Sequence, residues 1–343
     1  MKPLKPKAIF KILFLLFLIV GTVVIISRHQ SLQLLTSEGN IFGTTYRVQY
    51  EHTEALDSEI VAALQEVDET FSMFNDSSLV ARLNRGEDVA VSEAFKEVLA
   101  LAQRVSGESG GAYDVTVAPL VNLWGFGRET AVQPTDAAVD SVRQFVGYQR
   151  VSVKGNRLVK ADARTQLDFS SVAKGYGVDC VARVLRKHGV RNFLIEIGGE
   201  VVAQGQYPAQ DLSSARPWRV GISKPTPDGS DEVQTLLTVQ DAALATSGNY
   251  RRIRTINGRP YSHTIDPISG RPCQHEILSA TVLAPTCAEA DAYATAFMSM
   301  GLQKAQALLA KRSDLQALFI ISKPDRTFAT WATDGMKRLV AAQ

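Results

Sequence analysis

Asp291 and Thr295 of "CAEADAYATAF" (287–297) are a carboxylate and a hydroxyl four residues apart. On an α-helix both would share one face, a turn apart, with the carbonyls of the preceding turn beside them. Such an all-oxygen set suits a hard cation, and its sparseness fits Mg2+ bridging to a substrate phosphate better than calcium held by protein alone. Taken alone, the pair is better explained by helix packing. Other clusters raise the same choice. In "LDFSSVAKGYG" (167–177), Asp168 is expected to end a strand and Ser170 and Ser171 to cap a helix. Lys174 and Gly175 would then lie in its first turn, where free N–H groups and the helix dipole attract anions such as phosphate. The order of a Walker A loop is absent, and a capped structural helix with a surface lysine is the alternative. "IEIGGEVVAQG" (195–205) sets Gly198 and Gly199 beside Glu196 and Glu200, which reads as a bulge or as close approach of a ligand. "TSGNYRR" (246–252) and "YSHTIDPISGRP" (261–272) are polar clusters at element ends. His263 there is either a satisfied or a catalytic histidine, and Asp266 to Gly270 reads as a turn.

The elements that must position these residues follow from periodicity. "IFGTTYRVQYEH" (41–52) alternates as an opening strand, and "LDSEIVAALQEVDETFSMF" (56–74) has helical spacing. "NDSSLVARLNRGED" (75–88) reads as a polar turn, a short helix and a glycine stop. "SEAFKEVLALAQRVSGESGG" (92–111) reads as a helix of about four turns with Ser92 as N-cap. Pro119 and two glycines argue against one long element in "AYDVTVAPLVNLWGFG" (112–127). From Val151 to Gly221, β-rich runs surround one helix, "VAKGYGVDCVARVLRKHG" (172–189). An exposed loop is expected at 224–232. Strands are expected in "TLLTVQDAALATSG" (235–248), "RPYSHTIDP" (259–267) and "LSATVLAP" (278–285), then the helix from Cys287 to Gly301 and a closing hairpin. The pattern predicts an α+β fold of mixed sheets with interspersed helices, in two subdomains around a cleft.

Residues 1–28 differ from the rest. Lys2, Lys5, Lys7 and Lys11 accompany "ILFLLFLIVGTVVII", and counting onward from Ala8, through the single Lys11, gives about 20 residues, roughly what a bilayer core requires. No small-residue cleavage site or lipidation cysteine follows, so an uncleaved inner-membrane anchor is expected, with the lysines inside and residues from about 30 onward outside. Five of the 37 Lys and Arg, and no acid, stand in residues 1–28; the remainder carries 32 basic against 35 acidic residues. That balance leaves no basic footprint for nucleic acid. Cys180, Cys273 and Cys287 lie far apart, which indicates neither a zinc site nor a disulfide framework, although one pairing among them is open.

Eight ordered segments carry a resemblance: "GTTYRV" (43–48), "DSSLVARLN" (76–84), "GAYDVTVAPLVNLWGFG" (111–127), "LDFSSVAKGYGVD" (167–179), "EIGGEV" (196–201), "TSGNYR" (246–251), "YSHTIDPISGRP" (261–272) and "ATVLAPTCAEADAYATAF" (280–297). Together they resemble the ApbE family, the FAD:protein FMN transferases, as a domain over 38–340. The resemblance implies a magnesium-dependent enzyme of the bacterial cell envelope, its catalytic domain on the periplasmic side. Such an enzyme splits FAD, releases AMP and joins FMN through its phosphate to a Ser or Thr hydroxyl of an acceptor protein, a redox-pump or respiratory subunit. It places the flavin pocket on Phe42, Phe74, Ala112, Tyr113, Asp114, Asp168, Lys174 and Ile265. The metal falls on Ser171, the Ala288 carbonyl, Asp291 and Thr295, and a histidine assisting the acceptor hydroxyl falls on His263. Aromatic side chains offer stacking area to a flavin ring, and the pyrophosphate needs cations and donors. Phe42 stands where many members have methionine, and the lipobox cysteine of many relatives is missing. Two other readings stay open: a pyrophosphatase cutting FAD to FMN and AMP with water as acceptor, and an envelope flavin-binding protein without chemistry.

Overall fold

The computed structural model describes residues 6–28, 32–127, 134–208, 215–224, 233–249, 253–256, 259–325 and 327–340. The chain opens with helix α1 (Pro6–Arg28), whose side chains from Phe10 to Val20 stand exposed. Counted over the described side chains, no helix is long and apolar enough to cross a membrane; the side chains of 23–28 lie outside that description.

Next come β1 (Gln33–Ile41) and β2 (Thr44–His52), a hairpin in which Ile41 pairs with Thr44. The single strand expected over 41–52 is thus a turn plus one strand. Its two turn residues, Phe42 and Gly43, have φ of 53° and 71°. Phenylalanine is not a turn former, so the sequence hides the reversal. Five helices follow: α2 (Asp57–Phe71), α3 (Leu79–Asn84), α4 (Glu93–Glu108), α5 (Ala118–Leu123) and α6 (Asp136–Arg143). Ser92 caps α4 by accepting the Phe95 N–H, as expected. The hairpin β3 (Val151–Lys154) and β4 (Arg157–Lys160) leads to α7 (Ala173–Lys187).

Strands β5 (Phe193–Ile197) and β6 (Glu200–Gln204) are joined by Gly198 and Gly199, both at positive φ. The glycine pair is therefore a two-residue hairpin turn and not a bulge, the case in which glycine is needed at both positions. Strands β7 (Trp218–Ser223) and β8 (Val233–Val239) pair together, and residues 225–232 of the expected loop lie outside the described residues. After β9 (Ala242–Gly248) come two small pairs, β10 (Ile253–Ile256) with β11 (Arg259–Ser262) and β12 (Ile265–Asp266) with β13 (Arg271–Pro272). The chain ends in β14 (Ile277–Ala284), α8 (Cys287–Met300), α9 (Leu302–Leu309), the hairpin β15 (Gln316–Ser322) and β16 (Phe328–Ala332), and α10 (Asp334–Lys337).

One sheet of order β1-β2-β5-β6-β9-β14-β15-β16 organises the molecule, and all its pairings are antiparallel. The α+β class holds; the expectation of mixed sheets is corrected to antiparallel ones, because neighbours are joined by hairpins or by long excursions that return from the same end. Side chains alternate across this sheet. Val202, Ala243, Ala245, Ala317 and Phe319 face α2, α4, α7 and α8, whereas Val201, Ala203, Leu244, Leu318 and Ile320 face Trp218, Leu237 and Met336 of β7, β8 and α10. Both faces are buried, so the strands around α8 read as near-continuous apolar runs. A smaller cluster of Leu120, Trp124, Val139 and Ile265 holds α5 and α6 against β12.

Candidate functional site

Helix α8 is buried nearly all round, because β9, β14, α4 and α7 enclose it. Its N-terminus is closed by protein groups. Thr286 accepts the Glu289 N–H at 3.2 Å, and the Asp179 carboxylate of α7 accepts those of Cys287 and Ala288 at 3.0 and 2.9 Å. Burial pushes Asp179 up to about 6 against the pull of those two N–H groups. Gly175 lets the two helices touch backbone to backbone. A β-carbon there would stand 2.3 Å from the Cys287 carbonyl oxygen.

That contact presents the start of α7 to Asp291. The Gly175 N–H donates to Asp291 Oδ2 at 3.0 Å, and Lys174 Nζ lies 3.5 Å from the same oxygen and 2.9 Å from Glu200 Oε1. The anion drawn to this helix N-terminus is therefore a carboxylate of the chain itself. Lys174 keeps 28% of its side chain exposed, against 2% for Glu200 and 3% for Asp291, so it is the least enclosed side chain of the trio. Burial works against the Lys174 charge, but Asp291 and Glu200 outweigh it and hold the ammonium above its ordinary value. Burial pushes Glu200 up to about 8, with Lys174 opposing and Asp291 adding to the rise. Glu200 opens β6 directly after the glycine turn, and its Oε2 is buried without a hydrogen-bond partner among the described residues.

Further along α8, Thr295 Oγ1 lies 3.1 Å from Ser247 Oγ of β9. Before α7, the Ser171 hydroxyl donates to Tyr113 Oη at 3.1 Å. Burial raises the Tyr113 phenol, and the nearby charges of Asp291, Asp168 and Asp114 add to the rise. The structure thus brings Ser171, Tyr113, Lys174 and Asp291 together, with Ala288 and Thr295 one turn to either side of Asp291 on α8. Asp291 and Thr295 are not in plain packing; each meets a polar group from another element.

Two local expectations are corrected. Asp168 ends no strand: its N–H donates to the Val115 carbonyl at 2.7 Å and its Oδ1 accepts the Ser170 N–H at 2.8 Å. Neither Ser170 nor Ser171 caps α7, whose N-cap is Val172 without a side-chain bond. Asp114 is an organiser of the buried loop. It accepts from the Thr116 N–H and hydroxyl and from the Tyr148 N–H, at 2.7, 2.7 and 2.6 Å. Ala112 and Tyr113 are buried in the main core. The Phe42 ring lies over α7, where a β-carbon on Gly177 would meet it at 2.8 Å. Phe74 is 60% exposed on the loop after α2, and Ile265 is buried with Leu120 and Trp124. His263 is half-buried between β11 and β12. The following turn forms as expected: Asp266 accepts the N–H groups of Ile268 and Ser269, and Gly270 sits at φ 72°. Of "TSGNYRR", residues 250–252 lie outside the described residues.

Sequence reasoning noticed Glu200, Ser247 and Gly175 only as members of their motifs and gave Asp179 no role. The one available signal was Glu200 directly after a glycine pair. Among the described residues no group of three or more His, Cys, Asp or Glu could hold a metal. The expected donors are one carboxylate, two hydroxyls and a carbonyl, an all-oxygen set whose hydroxyls each keep a lone pair beyond the contact described. That chemistry, with the orphaned Glu200 oxygen beside it, fits a hard cation that retains waters. All three cysteines are free. A cavity of about 810 Å³ lies toward the other end of α7, lined by Asp179, Arg183, Arg186, Gln204 and Glu289. It shares only Ala288 with the group above.

Sheet, helices and cluster define an α+β protein that sets a lysine and hard oxygen donors where two buried helices touch. The chain belongs to the ApbE family, whose sequence model matches residues 42–319. It is 38% identical over 310 residues to the FAD:protein FMN transferase of Vibrio cholerae, covering 87% of this chain and 90% of that protein. The solved flavin transferase ApbE from Vibrio cholerae superposes with a TM-score of 0.79 at 35% identity, over 90% of this chain and 99% of the other. The apo flavinyl transferase ApbE of Pseudomonas stutzeri gives a TM-score of 0.79 at 34% identity, over 91% and 98%.

Proposed function

We propose that the chain is an FAD:protein FMN transferase that moves FMN from FAD to a serine or threonine hydroxyl of an acceptor protein. The hydroxyl oxygen bonds to the phosphorus on the FMN side of the pyrophosphate, the bond from that phosphorus to the bridging oxygen breaks, and AMP leaves with the bridging oxygen. The hydroxyl proton passes to His263 or to solvent. Phosphoryl transfer depends chiefly on positioning and charge neutralisation. Lys174 supplies a fixed positive charge that a pyrophosphate can reach, and its two acids keep it protonated. Asp291, Thr295, Ser171 and the Ala288 carbonyl would hold Mg2+, which when bound withdraws charge from the phosphate oxygens. The flavin would lie in a cleft between the sheet end at Phe42 and the part carrying Ala112 to Asp114 and Ile265, with Phe74 at its rim. Helix α1 would anchor the chain in the inner membrane with the catalytic part on the periplasmic side, in keeping with its lysines and a length of about 34 Å at 1.5 Å per residue.

The convergence of Lys174 and Asp291 at the α7–α8 contact carries this reading, in a chain so similar to flavin transferases. Its test uses the full chain in detergent with FAD, Mg2+ and an acceptor protein carrying an accessible Ser/Thr flavinylation motif. Flavin fluorescence should stay on the acceptor through a denaturing gel. A dark acceptor band, with FAD bound, counts against transfer. AMP released equally fast with and without acceptor points to hydrolysis instead.

A further inference from the structure

Glu200 touches neither substrate nor metal in the reaction as described, yet it is the nearer partner of Lys174. Its Oε1 takes the ammonium at 2.9 Å, whereas Asp291 Oδ2 stands at 3.5 Å. The residue is fixed from behind, because a two-residue glycine turn starts β6 at Glu200 and the side chain is 2% exposed. Its other oxygen, Oε2, is buried without a hydrogen-bond partner among the described residues, a costly arrangement for plain packing. A lysine without this partner has one acid left to fall on, Asp291, and an ammonium seated there would occupy an oxygen and cancel the charge that draws a cation.

We propose that Glu200 is a positioning residue: it holds the Lys174 ammonium off Asp291 and so keeps that carboxylate open to a divalent cation. This rests on the reading of Asp291 as a metal ligand. Ordinary charge pairing of a half-buried lysine would need Glu200 for stability alone; the proposal makes it govern cation affinity.

The test titrates Mn2+ into the full chain in detergent, without FAD, and follows loss of the free-ion electron paramagnetic resonance signal, which reads weak sites. Glu200→Met keeps the side-chain volume and removes the acceptor, and it should weaken Mn2+ binding about tenfold or more. Glu200→Gln keeps an oxygen for Lys174 and should stay within about threefold of wild type. Adding Lys174→Met to Glu200→Met removes the competing ammonium and should restore binding. Thermal unfolding establishes that each variant is folded, and Glu200→Leu is a second acceptor-free variant should Glu200→Met fail to fold. A folded acceptor-free variant that binds Mn2+ as tightly as wild type overturns this inference alone. A wild type that does not bind Mn2+ overturns the Asp291 site and this inference with it.

Discussion

Gly175→Ala is the smallest change that should disturb both the fold and the chemistry. Its β-carbon would sit 2.3 Å from the Cys287 carbonyl oxygen, 2.7 Å from its carbon and 2.9 Å from Ala288 Cα, all backbone atoms of α8. Ordinary contact begins at 3.4 Å, so α7 and α8 must part by about 1 Å, an overpacking that costs about 1–3 kcal/mol. The same movement stretches the bond from the Gly175 N–H to Asp291, now 3.0 Å, and a hydrogen bond to a charged group contributes about 1.5–3 kcal/mol. Alanine returns only about 1 kcal/mol of helix propensity. The clash wins, with a net loss of about 3 kcal/mol and, for a chain of 343 residues, a fall in melting temperature of about 4 °C. Because Asp291 and Thr295 ride on α8, an ångström of displacement should also slow flavin transfer about 100-fold. Both quantities are measured on the full chain, by thermal unfolding and by the initial rate of acceptor fluorescence at saturating FAD and Mg2+. Gly107→Ala is the control, since the nearest atom there is Tyr148 Oη at 4.0 Å, and it should be neutral or slightly stabilising. A Gly175→Ala protein that melts and labels like wild type would refute the proposed tightness of the helix contact.

Asp291→Ala should lower labelling by about 100-fold or more, as chelating Mg2+ from the wild type should; near-normal rates at micromolar Mg2+ would remove the carboxylate from the metal site. Asp179 titrates at about 6 in the fold against an ordinary 3.8, so the folded chain holds its proton more tightly than the unfolded one. The stability it contributes is complete below about pH 4 and is lost as pH rises through about 6, an effect of at most about 3 kcal/mol. The melting-temperature difference, wild type minus Asp179→Asn, should therefore shrink from pH 4 to pH 6, and a flat or rising difference would contradict the assignment. Asp114→Ala leaves the Thr116 N–H and hydroxyl and the Tyr148 N–H without their acceptor, and should cost about 3 kcal/mol or more in urea unfolding.

Much of this protein was legible along the chain. Ser92 capping α4, the glycine stop after α3, the turn from Asp266 to Gly270 and the closing hairpin follow from local rules in which a residue's own backbone preference decides its conformation. The reversal at Phe42 did not, because a positive φ at an aromatic residue is imposed by the paired strands on either side. Nor did the capping of α7: Ser170 and Ser171 have the right type and place, yet one follows Asp168 in a tight turn and the other turns to Tyr113.

The spacing of Asp291 and Thr295 put both on one helix face from sequence alone, and the ordered motifs named the family. Tertiary structure alone set what each meets, because Lys174, Glu200 and Ser247 come from elements up to 117 residues away. Local preference acts over a turn of helix, whereas the charge balance of a buried acid depends on which distant groups the packed sheet and the Gly175 contact bring within about 4 Å.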